Sequence, residues 1–407
     1  MTVRRRITAA ERRARLAVRH GLVPACRTDD VVALTDDVVA LHSTDPVTVY
    51  LSAAARMHRP SLAAVEAALY EDRSLIRHHA MRRTLWVFGH EAARLAHHAA
   101  TRKLHGPQRR NLLALIEASA ITDDPEAWVA KAYAEILALL VEGGPLGARE
   151  IGLRLPHLTV PVLVGSGRNT ATQSAHSRVL LMMGFEGLVV RARPTGSWIN
   201  GQYRWAAASE WFPGGFDGPA EAPLDERRAA AGLARRWLRA FGPGTRADLQ
   251  WWAGWTATTT SRALADVGAV EVDLQSDTAN GTGDGTGWVL PDDLEAPGHA
   301  EPWVALLPGL DPSTMGWKQR GWYLDPEHVP VLFDRNGNGG PTAWADGRIV
   351  GGWVQRRDGT IALRLLADVG RERRGALERA AGELEELLGE VRFSVRFPAP
   401  LQAELLR

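Results

Sequence analysis

An order of helices followed by one or two short strands recurs three times along this 407-residue chain, and that repeat limits the folds open to it. The first copy has helical spacing over 30–41 and 46–57, joined by His42-Ser43-Thr44-Asp45-Pro46. An aspartate before a proline at the first helical position is a good helix start. Ser61 caps a third helix, Leu62–Tyr70, and strand-like runs follow at Leu75–His79 and Thr84–Phe88. A further helix is expected ahead of this unit, over 7–22.

The second copy follows helical stretches at 91–118 and 125–142, the latter broken by Glu142-Gly143-Gly144-Pro145. Gly147–Leu155 reads as a short helix. Asn169 or Thr170 is expected to cap a longer one through Met183. Leu188–Arg191 and Gln202–Trp205 then form a hairpin with Pro194-Thr195-Gly196-Ser197 at its tip. The third copy has helices at Asp225–Phe241, Arg246–Gly254 and from Thr260 or Ser261 through Val267, then a strand at Val270–Leu274. Ala279–Gly287, rich in Gly, Thr and Asp, reads as a flexible loop.

The last part departs from the pattern. Strands are expected at Val304–Leu307, Thr342–Ala345, Arg348–Gln355 and Thr360–Leu366, with turns at Ala345-Asp346-Gly347 and Arg357-Asp358-Gly359. A helix, Glu372–Leu388, and a final strand, Val391–Phe397, close the chain. The fold class expected is therefore mainly α with β wings: tandem winged helix-turn-helix units plus a C-terminal α+β domain. The expected boundaries are 1–120 for a basic winged-helix domain carrying the candidate active-site connector, 121–215 and 220–278 for the second and third units, and 288–407 for the α+β domain.

Charge is unevenly placed. Residues 1–110 hold 19 Lys+Arg against 10 Asp+Glu, whereas the whole chain nets only +1. A basic end on a near-neutral chain suits a phosphate-bearing partner, and equally a solvated arginine-rich helical surface. The single cysteine, Cys26, excludes an intramolecular disulfide framework and a Cys-rich zinc site. No apolar run approaches the ~20 residues of a membrane span, and no apolar signal core follows Arg4-Arg5-Arg6. A cytoplasmic, nucleoid-associated monomer is expected; no cofactor is expected, since neither a dinucleotide fingerprint nor a phosphate loop is present. The His78-His79 and His97-His98 pairs do not read as a metal site, because adjacent side chains point to different faces.

Met81-Arg82-Arg83-Thr84-Leu85-Trp86, Ser177-Arg178-Val179-Leu180-Leu181, Gly196-Ser197-Trp198, Phe241-Gly242-Pro243-Gly244-Thr245, Leu307-Pro308-Gly309-Leu310-Asp311-Pro312, Met315-Gly316-Trp317-Lys318 and the run from Leu332 to Pro341 together resemble the AlkZ-type winged-helix DNA glycosylases, which include the YcaQ-like proteins. The resemblance covers nearly the whole chain. It implies hydrolysis of the N-glycosidic bond of alkylated purines, N7-alkylguanine above all, in double-stranded DNA, for repair or self-resistance. The catalytic motif of that family is two glutamines one residue apart in the connector after the second helix, or Gln and Asp in some relatives. Here the matching connector reads His42-Ser43-Thr44.

By that match the candidate catalytic residues are His42, Thr44 and Asp45. His42 could orient water or accept its proton, Thr44 could hold the water's other side, and Asp45 could face the sugar cation. Each also has a plainer role, as a helix cap for Asp45 and Thr44 or a hydrogen-bonded connector histidine for His42. Candidate DNA contacts are Arg82, Arg83, Arg178, Arg191, Trp198, Lys318, Arg320, Arg335 and Asn336. Trp198 could equally pack on a neighbouring unit. Lysine occurs only at 103, 131 and 318, and Lys318 alone lies in a suggestive loop, so a monofunctional hydrolase is expected rather than a Schiff-base lyase. The other class kept open is a non-catalytic winged-helix DNA-binding protein.

Overall fold

A computed structural model describes residues 4–165, 170–218, 224–275, 285–298 and 300–407. The chain opens with β1 (Arg6–Thr8) and α1 (Ala9–Arg19), where one helix over 7–22 was expected. The difference is non-local. Arg6–Thr8 pairs in parallel with Asp273–Gln275, and Ile7 is buried against Val272, Leu274 and Val289. Thr8 then caps α1 by accepting the Glu11 N–H.

The first repeat comprises α2 (Val31–Asp37), β2 (Leu41–His42), α3 (Pro46–Ala54), α4 (Leu62–Tyr70), β3 (Leu75–His79) and β4 (Leu85–Gly89). Its sheet runs β2-β4-β3, so the short first strand pairs with the last. Then come α5 (His90–Ala96), a π-helical turn at His97–Thr101, and α6 (Arg102–Ala118).

The second repeat has the same layout. It comprises α7 (Pro125–Gly143), β5 (Leu146–Gly147), α8 (Ala148–Arg154), β6 (Pro161–Val164), β7 (Ala171–Ser174), α9 (Ala175–Glu186), β8 (Val189–Pro194) and β9 (Tyr203–Ala207), with sheet order β5-β9-β8. The helix expected from Asn169 or Thr170 begins only at Ala175, because Ala171–Ser174 is taken by antiparallel pairing with Pro161–Val164. Asn169 itself lies outside the described residues. A short α10 (Ala208–Trp211) leads out.

The third repeat comprises α11 (Glu226–Phe241), α12 (Arg246–Ala253), α13 (Ala257–Asp266), β10 (Val270–Gln275) and β11 (Gly285–Val289). Its first strand is reduced to one bridge, Gly244 to Trp288. Helix α13 starts before the expected Thr260 because Thr256 is the cap, accepting the Thr259 N–H. The expected loop Ala279–Gly287 lies outside the described residues up to 284, and Gly285–Gly287 already belongs to β11.

The C-terminal part carries β12 (Val304–Leu307), α14 (Pro312–Met315), α15 (Val329–Leu332), β13 (Thr342–Ala345), β14 (Arg348–Gln355), β15 (Ile361–Leu365), α16 (Gly370–Leu388) and α17 (Pro400–Leu405). Strands β12 to β15 form one antiparallel meander. Residues Val391–Phe397, expected as a strand, make no ladder. The Gln355 side chain holds them instead, donating to the Val391 carbonyl (3.0 Å) and accepting the Phe393 N–H (3.1 Å).

One continuous apolar core joins the first and third repeats to the C-terminal sheet, with Trp86, Trp237, Trp252, Trp317, Trp344 and Trp353 at its centre. The second repeat has its own core, to which α6 contributes Leu112 and Ile116. Among the described residues no helix is long and apolar enough to cross a membrane.

Candidate active site and nucleic-acid interface

The connector between β2 and α3 is fixed from behind. His42 pairs with Trp86 across the sheet, its ring 4.5 Å from the indole, and the Ser43 N–H donates to the Leu85 carbonyl (2.8 Å). Ser43 Oγ accepts from Arg77 Nε (2.7 Å), and Arg77 also donates to the Tyr70 hydroxyl (2.7 Å). Arg77 is buried beneath Tyr203, with phenols around it.

His42 is only 4% exposed. Burial, and then the charge of Arg82, push it down to about 3, so it is neutral near pH 7. Its Nδ1 accepts the Thr44 N–H at 3.3 Å, which assigns the proton to Nε2. With Nδ1 occupied by the Thr44 N–H, the ring presents Nε2–H as a donor. Thr44 Oγ1 is buried without a hydrogen-bond partner among the described residues, and the Thr44 carbonyl accepts from Arg396 Nη1 (3.0 Å).

Asp45 caps α3, accepting the Val47 N–H on Oδ1 (3.2 Å), while its Oδ2 accepts the Arg396 N–H (3.2 Å). Burial pushes its pKa up, opposed by those two N–H groups and the Arg396 charge. The cap role and a site role coexist, because Asp45 also lines a cleft of about 1270 Å³. The opposite walls are Val354–Asp358 and Arg392–Arg396, with Ile199 and Gly201 from the second repeat. Five arginines, 356, 357, 392, 396 and 407, ring it. Arg356, Arg392 and Arg396 hydrogen-bond to backbone carbonyls of Leu405, Gly389 and Thr44, and the cleft's two aspartates, Asp45 and Asp358, lie close enough to Arg396 and Arg356 to feel their charge. Sequence reasoning missed these arginines. The alternation in Val391–Phe397, which exposes Arg392 and Arg396 on one side, was the available signal.

A second cationic set is assembled from expected residues. Arg82 and Arg320 converge on the Trp251 ring, at 4.1 and 5.4 Å, and Arg320 also covers Phe333 at 4.6 Å. Burial, then the Arg320 charge, lowers Arg82 to about 10. Arg82 and Arg83 both have left-handed backbones (φ 55° and 65°) at the β3–β4 turn, a strained geometry for non-glycine residues. Arg83 and Lys318 are exposed, and Arg335 and Asn336 project from a turn organised by Asp334.

Three other expected contacts are placed elsewhere. Trp198 is buried against Tyr50 (4.8 Å between centroids), which seats the second repeat's loop on α3 and gives no wedge toward a ligand. Arg191 stacks on Trp205 at 4.4 Å, and burial lowers it to about 10. Arg178 is half-buried between α6 and α9. The histidine pairs engage one another and the backbone: His78 Nε2 lies 3.1 Å from His97 Nδ1, and His98 Nε2 lies 3.1 Å from the Phe216 carbonyl. Among the described residues no group of three His, Cys, Asp or Glu is placed to hold a metal.

The recognisable motifs prove to be joints. Asp311 forms a buried two-pronged ion pair with Arg56 and accepts from Ser52 (2.6 Å), while the Gly309 carbonyl accepts from Thr48 (2.6 Å). The Trp317 indole donates to the Phe241 carbonyl (3.0 Å). These bonds lock the C-terminal part onto α3 and α11, and so hold the cleft's two walls in register.

Repeats, joints and connector together define a DNA glycosylase scaffold: the AlkZ-like DNA glycosylase family model matches residues 35–387, and the chain belongs to that family. Among solved structures, Streptomyces sahachiroi DNA glycosylase AlkZ is similar, with a TM-score of 0.70 and 20% sequence identity over 97% of this chain and 99% of that one. At that identity the likeness concerns the fold. No curated protein sequence matches the chain.

Proposed function

We propose that this protein is a monofunctional DNA glycosylase that hydrolyses the N-glycosidic bond of alkylated purines of the N7-alkylguanine type, acting on duplex DNA at the nucleoid in repair or self-resistance. In this reading the three repeats are winged helix-turn-helix units that grip the duplex. The observation that carries it is Asp45: a carboxylate with one N–H donor per oxygen, at the family's catalytic connector, on the wall of an arginine-ringed cleft.

An N7-alkylated guanine already carries a positive charge. When its C1′–N9 bond breaks, N9 keeps the electron pair, the base leaves neutral and the sugar becomes cationic. Asp45 stabilises that cation and takes the proton of the water that adds to C1′. Of the three connector residues Asp45 alone lines the cleft; Thr44 Oγ1 and the His42 Nε2–H, buried behind it, hold the water once the nucleotide is bound. The cleft arginines and the set on Trp251 bind phosphates on either side of the extruded nucleotide. Lys318 binds phosphate rather than forming a Schiff base.

The test is release of N7-methylguanine, and of a bulkier N7 adduct, from duplex DNA by wild type, His42→Ala and Asp45→Asn. Loss of release with DNA binding intact supports the reading. Borohydride trapping of a covalent adduct that Lys318→Ala abolishes would overturn the monofunctional assignment. A non-catalytic DNA-binding protein is the second reading, favoured by the absence of both glutamines and the use of His42 Nδ1 within the connector. Salt-sensitive DNA binding with no release of either base would select it.

A further inference from the structure

We propose that Arg396 is a positioning residue that completes the catalytic connector from the far end of the chain, tying Thr44 and Asp45 to the C-terminal segment. The inference rests on the reading of Asp45 as the carboxylate that meets the sugar cation. Arg396 touches the connector twice: Nη1 donates to the Thr44 carbonyl at 3.0 Å, and its backbone N–H donates to Asp45 Oδ2 at 3.2 Å. A Cβ at Gly201 would lie 3.4 Å from the same Nη1 and 3.7 Å from Pro46. The guanidinium therefore sits where three stretches of chain meet: the first repeat's connector, the second repeat's hairpin loop, and the segment Val391–Phe397.

That segment is held firmly enough to act as a platform. Gln355 clasps it at Val391 and Phe393, and the Phe393 ring meets Trp353 edge-on at 6.5 Å. Beyond it, the Gln402 amide donates to the Pro341 carbonyl and its oxygen accepts the Ala399 N–H. Arg396 thus transmits a fixed frame to Asp45. Its charge also favours the carboxylate that burial disfavours. Touching no reacting atom, it acts through Thr44 and Asp45.

The experiment compares wild type, Arg396→Ala and Arg396→Lys, with Asp45→Asn used to assign the Asp45 signal in protein labelled with carbon-13 at the aspartate carboxyls. Two quantities are read: the Asp45 titration by NMR, and the pH profile of single-turnover base release. In Arg396→Ala the Asp45 titration and the acid limb of release move together to higher pH, and release at neutral pH falls roughly tenfold. Arg396→Lys, which keeps the charge, restores the titration and most of the rate. An Asp45 titration unchanged in Arg396→Ala overturns the proposal, as does unchanged release with an unshifted limb. If wild type releases no base, the glycosylase reading fails, and the titration alone still decides whether Arg396 governs Asp45.

Discussion

Asp45 and Asp248 each fix the start of the helix that follows a connector, one in the first repeat and one in the third, yet their surroundings differ. Asp248 is fully buried and saturated. Its Oδ2 accepts the Thr245 N–H and O–H (3.0 and 2.8 Å), and its Oδ1 accepts the N–H groups of Lys318 and Gln319 (2.9 and 2.8 Å). Asp45 has one N–H donor on each oxygen and lines the cleft. The connectors differ in the same sense. A tryptophan on the last strand faces each of them: Trp86 opposite His42, Trp205 opposite Leu146, Trp288 opposite Gly244. In the second and third repeats that strand residue runs straight into the cap. In the first, Ser43-Thr44 intervenes between His42 and the cap Asp45. A repeated scaffold therefore spends its carboxylate on structure where the donors are plentiful and leaves it available where the connector is longer.

The largest effect expected from this contrast is on stability. Asp248→Ala strands the backbone N–H groups of Thr245, Lys318 and Gln319 and removes a capping box, a loss of about 3–5 kcal/mol by urea denaturation. A loss below ~1 kcal/mol would erase the difference between the two aspartates. Asp45→Asn should do the reverse. Asparagine keeps the cap through its one oxygen and gives up the Arg396 N–H contact, so stability falls by only about 1 kcal/mol. Release of N7-methylguanine should fall about 100-fold, the scale of removing one preorganised electrostatic group. Equal rates in the variant and wild type would leave Asp45 as a cap only.

Legibility in the sequence followed the range of the forces involved. Helix Leu62–Tyr70 and strand Leu75–His79 were readable to the residue, because a capping Ser61 and local side-chain preference decide them. Strand Arg6–Thr8 was not, because its partner lies at Asp273–Gln275 and no local pattern announces a parallel pairing across the whole chain. The site divides likewise. His42, Thr44 and Asp45 became candidates only through the connector's resemblance to the family, the Asp-Pro start alone announcing no more than a helix cap, whereas Arg396, 351 residues from Asp45, was announced by nothing local. Trp198 was legible as unusual at a hairpin tip, but only the fold shows that Tyr50 receives it.

The next contrast concerns the other end of the connector. His42 has a folded pKa of about 3, below the ~6.5 of the unfolded chain, so the unfolded chain binds the extra proton between those values. The stability tied to this residue is complete above about pH 6.5 and is lost as pH falls below it, roughly 2 kcal/mol by pH 5. His20, also held at about 3 by burial and then by Arg56, behaves the same way. His42→Gln should therefore lose about 2 kcal/mol less than wild type between pH 7.5 and 5, measured by denaturant midpoints at both. Equal losses would mean that His42 is charged in the fold and that its neutral donor role is wrong.

The smallest effect separates the two classes of aromatic site. Arg82 lies over Trp251 beside Arg320, with no carboxylate in contact among the described residues, whereas Trp198 is enclosed against Tyr50. If the first is a phosphate site and the second a joint, Arg82→Ala should weaken duplex binding by ~1 kcal/mol and reduce the slope of log K against log salt by about 0.9. Trp198→Ala should leave that slope unchanged, since no counterion release depends on an uncharged ring. An unchanged slope in Arg82→Ala would move the phosphate contacts to the arginines around Asp45, and the nucleic-acid interface would then lie on the cleft side alone.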